Sequence, residues 1–321
     1  MTEAWAFGVD VGGTYLRVGL FSLSGGRRPA LAGSTKRAWR SGDYDAAGAL
    51  SAALRDELAA LSSRHGLEPA ATPLGVGLAG QLSPDGRTVV NAPNIGWRDL
   101  GLVELLEAEL GRPPGSIRMV NDLTAIVRGE LADGGARGAR DLVAMYVGTG
   151  VGGAVVTDGR IVRGAGGTAG EIGHVKLPGC DALCGCGERG CLEAVAGGAA
   201  LARRVAAMRF GTDQDAEPAA DLARAERAVE AGDPAAEALW HEASEALAHV
   251  ASGMCTFLNP SVLLVGGGVF DRAPRLRLRF EARTRDLTLA VARTRLEIRH
   301  GELGDDAGLL GAAMFAVEHH S

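Results

Sequence analysis

The chain has 321 residues, 46% of them hydrophobic and 22% charged, with a formal net charge of −6. That length favours two lobes with separate cores, and the mild acidity argues against nucleic acid as a partner. No apolar run approaches the roughly 20 residues that cross a bilayer, and "MTEAWAFGVD" has no signal-peptide pattern, so a cytoplasmic protein without membrane partners is expected.

The opening run "AWAFGVDVGGTYLRVGLFSL" (4–23) predicts two strands joined through Gly12 and Gly13, a hairpin whose turn can approach a ligand. A helix follows over about 46–64, ending near Gly66, and "PLGVGLAG" (73–80) reads as a buried strand. "RDLGLVELLEAELGRPP" predicts a helix with Asp99 as N-cap, Val103, Leu106 and Leu110 on one face, and Gly111 with two prolines as the stop. "SIRMVNDLTA" (116–125) predicts a strand that delivers Asn121 and Asp122 to the start of a helix. "DLVAMYVGTGVGGAVVTDGRIV" (141–162) then repeats the opening pattern of strand, glycine turn with threonine, strand. That echo predicts two related lobes, each with a phosphate-facing hairpin. Helices are expected over about 193–209 and 234–257, a strand entering a triple-glycine loop over 260–270, and a last helix capped near Asp305 or Asp306. Strands alternating with helices place the chain in the α/β class. The arginine-rich stretch 271–285 reads as a solvated helix face, since no aromatic residues alternate with its basic ones.

The 48 glycines gather in short groups, as loops do where backbone must come close to a ligand. Phosphoryl transfer asks for positioning and charge stabilisation, and glycine turns offer backbone N–H donors without side-chain bulk. In "DVGGT", Asp10 could hold a magnesium ion through water while Gly12, Gly13 and Thr14 face a phosphate. Gly148, Thr149 and Gly150 of "GTGVGG" could do likewise, and Gly266, Gly267 and Gly268 form a third glycine turn after a strand. No GxxxxGK[ST] occurs, which excludes a Walker-type site. Asp122, at a strand-to-helix junction, is either an N-cap or a general base for an attacking alcohol, with Asn121 suited to orient that acceptor. His174 with Cys184, Cys186 and Cys191 gives one nitrogen and three thiolates, the ligand count of a closed structural zinc site. Cys180 is a rival ligand and Cys255 reads as core. The metal would fix a loop carrying Glu171, His174 and Glu193. Asn94, in a proline-bounded loop near Trp97, is either an amide that reads hydroxyl groups or an Asx-turn.

Together these motifs resemble the ROK family, which includes bacterial sugar kinases and sugar-responsive repressors. "DVGGT" and "GTGVGGA" match its phosphate motifs, "GTAGEIGH" with "CGCGERGCLE" its zinc-and-sugar signature, and "GGGV" the place where the family approaches adenosine. The resemblance implies an actin-like ATPase (ribonuclease H-like) fold. A small N-terminal lobe (1–117 plus 305–321) and a larger lobe carrying the zinc knuckle (118–304) would flank a central cleft. It implies an ATP-dependent hexose 6-kinase using Mg2+ and structural Zn2+, working as a homodimer or homotetramer. Asp122 would deprotonate the 6-hydroxyl of the sugar, and Asn94, Asn121, Glu171, His174 and Glu193 would hold its other hydroxyls, His174 also binding zinc. The family's usual run is close to Asn-Asp-Ala-Asn-Ala, whereas this chain has "NDLTA". Leu123 and Thr124 therefore raise an aminohexose of the kanosamine or glucosamine type as an alternative to glucose. A repressor is the less favoured reading, because only nine residues precede Asp10.

Overall fold

The two apolar runs at the start form β1 (Trp5–Val11) and β2 (Tyr15–Ser22), paired antiparallel across the Gly12–Gly13 turn. The computed structural model describes residues 4–13, 15–23, 28–38, 46–208 and 218–318, so the expected phosphate ligand Thr14 lies outside the described residues. Two units result, one of residues 1–138, 163–169 and 301–321, the other of 139–162 and 170–300.

In the first unit, β3 (Ala30–Ala38), α1 (Ala46–Ser63) and β4 (Leu74–Leu78) follow the opening hairpin. β5 (Gln81–Leu82), β6 (Val89–Ala92) and β7 (Trp97–Leu100) make a small antiparallel sheet before α2 (Leu102–Glu109), β8 (Ile117–Asn121) and α3 (Asp122–Asp133). The main sheet has the order β3-β2-β1-β4-β8, with β1, β4 and β8 parallel. One face packs on α1 through Leu50, Leu54, Leu58 and Leu61, a helical spacing that sets four buried leucines on one stripe.

The second unit holds β9 (Leu142–Val147), β10 (Val151–Thr157), β11 (Arg160–Ile161) and a 3-10 turn at Ile172–His174. Its helices α4 (Leu192–Ala196), α5 (Gly198–Ala207), α6 (Pro218–Glu230) and α7 (Pro234–Leu258) precede β12 (Val262–Gly266), α8 (Gly268–Arg272), α9 (Pro274–Leu287), α10 (Ala290–Arg293) and β13 (Glu297–His300). Its sheet order, β11-β10-β9-β12-β13, repeats that of the first unit strand for strand. The echo between the two glycine hairpins thus extends to two sheets of one topology. The chain finishes in the first unit with α11 (Asp306–Val317), which packs on α3 and β1.

Four expectations are corrected here. A lobe boundary at 117/118 would split β8 from β4, to which it is hydrogen-bonded, and α3 from α11; both elements belong to the first unit. Likewise residues 301–304 and 163–169 fall with the first unit. Asp99 caps no helix: it lies in β7 at φ 50°, and α2 begins three residues later after Gly101. The expected helix over 193–209 breaks at Gly197, whose extended backbone ends α4 and starts α5. The arginines of α9 do behave as a helix surface, pairing with carboxylates on α6 and α7: Arg275 with Glu226, Arg279 with Glu237 and Arg283 with Glu245.

Candidate active site

Parallel strands leave their carboxyl ends open to ligands, because the chain must cross away there. In the first unit Asp10 of β1 pairs with Gly77 of β4, and Gly77 in turn pairs with Val120 of β8. Asp10 and Asp122 therefore stand on one carboxyl edge, separated by a single strand. Asn121 takes the N-cap of α3: its Oδ1 accepts from the N–H groups of Leu123 (2.9 Å) and Thr124 (3.3 Å), and its Nδ2 donates to Gly80 O. The cap alternative raised for Asp122 is thus filled by its neighbour, while Asp122 Oδ1 accepts from the adjacent Leu123 N–H at 2.9 Å. Asn121 has spent its acceptor on the helix, leaving one amide hydrogen for any substrate.

The glycine turn of this unit is tight. The Gly12 N–H donates to Tyr15 O at 3.1 Å, and a Cβ at Gly13 would lie 2.8 Å from Asn94 O, so the turn rests on the Asn94 loop. Asn94 itself is exposed, whereas Trp97 nearby belongs to the core. Two residues beside Asp10 escaped the sequence reading. Arg17, its cross-strand partner, donates to Asp10 Oδ2 at 2.8 Å and reaches Asp305 at 3.0 Å. The hairpin register seven residues apart was the signal available for Arg17; Asp305 had none, since only folding brings α11 to β1. Burial raises the Asp10 pKa, while the Arg17 guanidinium pulls it down.

The second unit gathers the other expected residues. Gly148, Thr149 and Gly150 link β9 to β10, and the first N–H groups of α5, on Gly198 and Ala199, donate to Gly148 O and Thr149 O at 2.9 Å each. The break at Gly197 exists for that contact: a continuous helix would keep those donors inside itself. The Gly148 N–H is used within the turn, donating to Gly150 O. Glu193, in the first turn of α4, accepts from the Val151 N–H at 3.0 Å through Oε2. Gly267 sits at φ 100°, where a Cβ would lie 2.5 Å from Val147 O at the end of β9, and a Cβ at Gly266 would run into the Tyr146 ring, so these two positions have no room for side chains.

The knuckle follows from short-range geometry. Gly187 and Gly190, at φ 90° and 79°, fold residues 180–191 back on themselves, with Leu183 bridged to Arg189 and Lys176 to Cys191. His174 ends the 3-10 turn, and Cys191 is the last residue before α4. One ligand atom from each of His174, Cys184, Cys186 and Cys191 falls within 4.8 Å of all the others. His174 Nδ1 is 3.8 Å from Cys184 Sγ, and the sulfurs of Cys186 and Cys191 are 3.8 Å apart. Bonds of 2.3 Å around a tetrahedral centre require S···S edges of about 3.8 Å, whereas a disulfide needs about 2.05 Å. The donor set therefore fits a zinc-sized ion. Burial pushes the Cys184 thiol up to about 12, a proton that metal binding must displace. Cys180 is outside the cluster, and Cys255 is core. His174 Nε2 points to Glu171 at 3.9 Å. Burial, with the charge of Glu193 adding to it and His174 opposing it, raises the Glu171 pKa.

Among the described residues no helix is long and apolar enough to cross a membrane. A model of the ROK family matches residues 6–319. The chain is 30% identical to a glucokinase from Halalkalibacterium halodurans, over 100% of this chain and 97% of that protein. It is also 30% identical to a kanosamine kinase from Amycolatopsis mediterranei, over 98% of this chain and 97% of the relative. A ROK family glucokinase from Streptomyces griseus, crystallised with glucose and AMPPNP, is similar with a TM-score of 0.77 at 28% identity, covering 97% of this chain and 98% of that one. The architecture is the actin-like ATPase fold.

Proposed function

The chain belongs to the ROK family and is a sugar kinase, and we propose that it transfers the γ-phosphoryl group of ATP to the 6-hydroxyl of a hexose, glucose or a close analogue, in the cytoplasm. The observation that carries this reading is the pairing of Asp10 and Asp122 on one carboxyl edge, with Asn121 relieving Asp122 of the capping role.

In this reading Asp122 takes the proton of the 6-hydroxyl as its oxygen bonds to the γ-phosphorus; the bond from that phosphorus to the bridging oxygen breaks, and ADP leaves with the electron pair. Asp10 would hold Mg2+ through water with Oδ1, because Arg17 occupies Oδ2. The metal supplies charge neutralisation at the phosphates when bound. Gly12, Gly13 and Thr14, together with Gly148, Thr149 and Gly150, would serve the phosphates, and Gly266, Gly267 and Gly268 the adenosine. Asn94, Asn121, Glu171, His174 and Glu193 hold the remaining hydroxyls. His174 Nδ1, Cys184, Cys186 and Cys191 would hold a structural zinc, which locks the His174 ring so that Nε2 stays available to a hydroxyl.

Asp122→Asn tests the base directly. A general base contributes about 10²–10⁴-fold, so kcat in a coupled ADP-release assay should fall by that factor while sugar binding, measured by calorimetry, persists. Turnover above a tenth of wild type would remove Asp122 from the role.

Two observations favour a second substrate class, an aminohexose. Glu171, 3.9 Å from His174, also feels the charge of Glu193, and such a pair of carboxylates suits an ammonium group; a kanosamine kinase is among the relatives at 30% identity. Comparing kcat/KM across glucose, mannose, N-acetylated hexoses and aminoglucoses decides between the two.

A further inference from the structure

At the far end of α3 from Asp122 lies Glu130, a carboxylate only 1% exposed that no step of phosphoryl transfer engages. Its oxygens accept from the backbone N–H groups of Gly135 at 2.8 Å and of Glu302 and Leu303 at 3.0 Å. Hydrogen bonds to an ionised acceptor are the strong ones, so Glu130 fixes the backbone just ahead of α11. The N–H of Asp306 then donates to Leu303 O at 3.0 Å and starts the helix. Downstream, α11 has no freedom to shift: methyl groups at Gly8 of β1 and Gly129 of α3 would run into Leu309 O and Ala307 O.

Asp10 on β1, Arg17 on β2 and Lys36 on β3 are direct cross-strand partners, so they form one row on one face of the sheet. α11 lies on that face, where a Cβ at Gly308 would stand 3.9 Å from Asp10 Cγ. Asp305 opens the helix yet makes no capping bond with its side chain. Its carboxylate, 64% exposed, instead takes Arg17 Nη2 at 3.0 Å and Lys36 Nζ at 3.3 Å. Arg17 Nη1 meanwhile reaches Asp10 Oδ2 at 2.8 Å, so the guanidinium is divided between two carboxylates.

We propose that Asp305 is a positioning residue for the metal–nucleotide site, set in place by Glu130. By holding Nη2 of Arg17 it keeps that guanidinium on one oxygen of Asp10 and leaves Oδ1 open. The inference rests on the reading of Asp10 as a carboxylate that meets a magnesium ion through water, and a hard oxygen donor of this kind suits that ion. Released from Asp305, the guanidinium can turn both NH2 groups onto Asp10 in the bidentate geometry that arginine and carboxylate favour. Oδ1 is then closed to the water shell of the ion. Asp305 also lies between Arg17 and Lys36, like charges set directly opposite each other that would otherwise repel.

Calorimetric titration of the full chain with ADP, once with Mg2+ and once with EDTA, tests this without turnover. Asp305→Ala should raise the dissociation constant of Mg·ADP about three- to fivefold, as for a partly exposed ion pair, and leave that of metal-free ADP unchanged. A lysine has no bidentate grip, so in an Arg17→Lys background the same substitution should do nothing further. Glu130→Gln should melt lower and show the same selective loss of Mg·ADP; a lower melting temperature with Mg·ADP unchanged would make Glu130 structural only. Should Glu130→Gln not fold, Asp305→Ala decides alone. An unchanged Mg·ADP constant in Asp305→Ala, or equal weakening with and without metal, overturns the inference. Asp10→Asn separates the two layers: weakened Mg·ADP there beside normal binding in Asp305→Ala sinks the inference alone, and normal binding in both sinks the magnesium reading as well.

Discussion

Gly150→Ala probes how the second glycine turn and the Glu193 carboxylate depend on each other. A methyl group at residue 150 would collide with Glu193 Oε2 and sit 2.9 Å from its Cδ. Those atoms are the free end of a flexible side chain, so the carboxylate swings away and the fold survives. What is lost is its bond from the Val151 N–H, now 3.0 Å long. A hydrogen bond to a charged group contributes about 1.5–3 kcal/mol, and each 1.4 kcal/mol is tenfold in an equilibrium constant. If Glu193 holds a sugar hydroxyl from that position, KM for the sugar should rise about 10- to 100-fold. The ATP KM should move less than threefold, and the melting temperature should stay within a few degrees. A coupled ADP-release assay, varying sugar and ATP in turn, reads both constants. A sugar KM within twofold of wild type, with zinc and melting unchanged, would refute the idea that the turn positions Glu193 for substrate.

Metal analysis should find one zinc per chain, and Cys184→Ser should lose it and raise the sugar KM together; zinc-free wild-type protein with full activity would sink that reading. If the protein carries zinc as proposed, thiol titration of the native protein at pH 8 should count Cys180 alone, because burial pushes the Cys255 thiol up to about 12 and the metal would hold the other three thiols. Gly311→Ala should destabilise the first unit, since its methyl group would meet Ala125 O across the α11–α3 contact and lie 2.9 Å from Gly129 N. Overpacking of this kind costs about 1–3 kcal/mol, visible as a lowered melting temperature; an unchanged value would mean that the two helices separate freely.

The candidate site was open to sequence reading where its residues are local in the chain. His174 and the three cysteines span eighteen positions, and glycines at 187 and 190 fold them within reach of one ion. The Asp10 turn is a hairpin, and the strand-to-helix junction at Asn121 and Asp122 is two adjacent residues. The misplaced features depended on pairing partners that residue type alone does not reveal. Asp99 resembled a cap by residue type, but its segment was recruited as an edge of the small sheet through Ala92–Trp97 pairing. An unbroken helix over 193–209 satisfied the local pattern, yet the carbonyls of Gly148 and Thr149, some fifty residues away, captured the donors that open α5.

From sequence alone came the class of fold, the repeated glycine hairpin and the grouping of His174 with Cys184, Cys186 and Cys191, all written in spacings of a few residues where backbone geometry leaves little choice. Tertiary structure alone decided which unit owns β8 and α3 and that Asp305 comes to flank Asp10. Those outcomes turn on strand order and on the return of the last helix, contacts whose partners lie tens to hundreds of residues apart. No local periodicity encodes such meetings; they follow from how two apolar faces are buried.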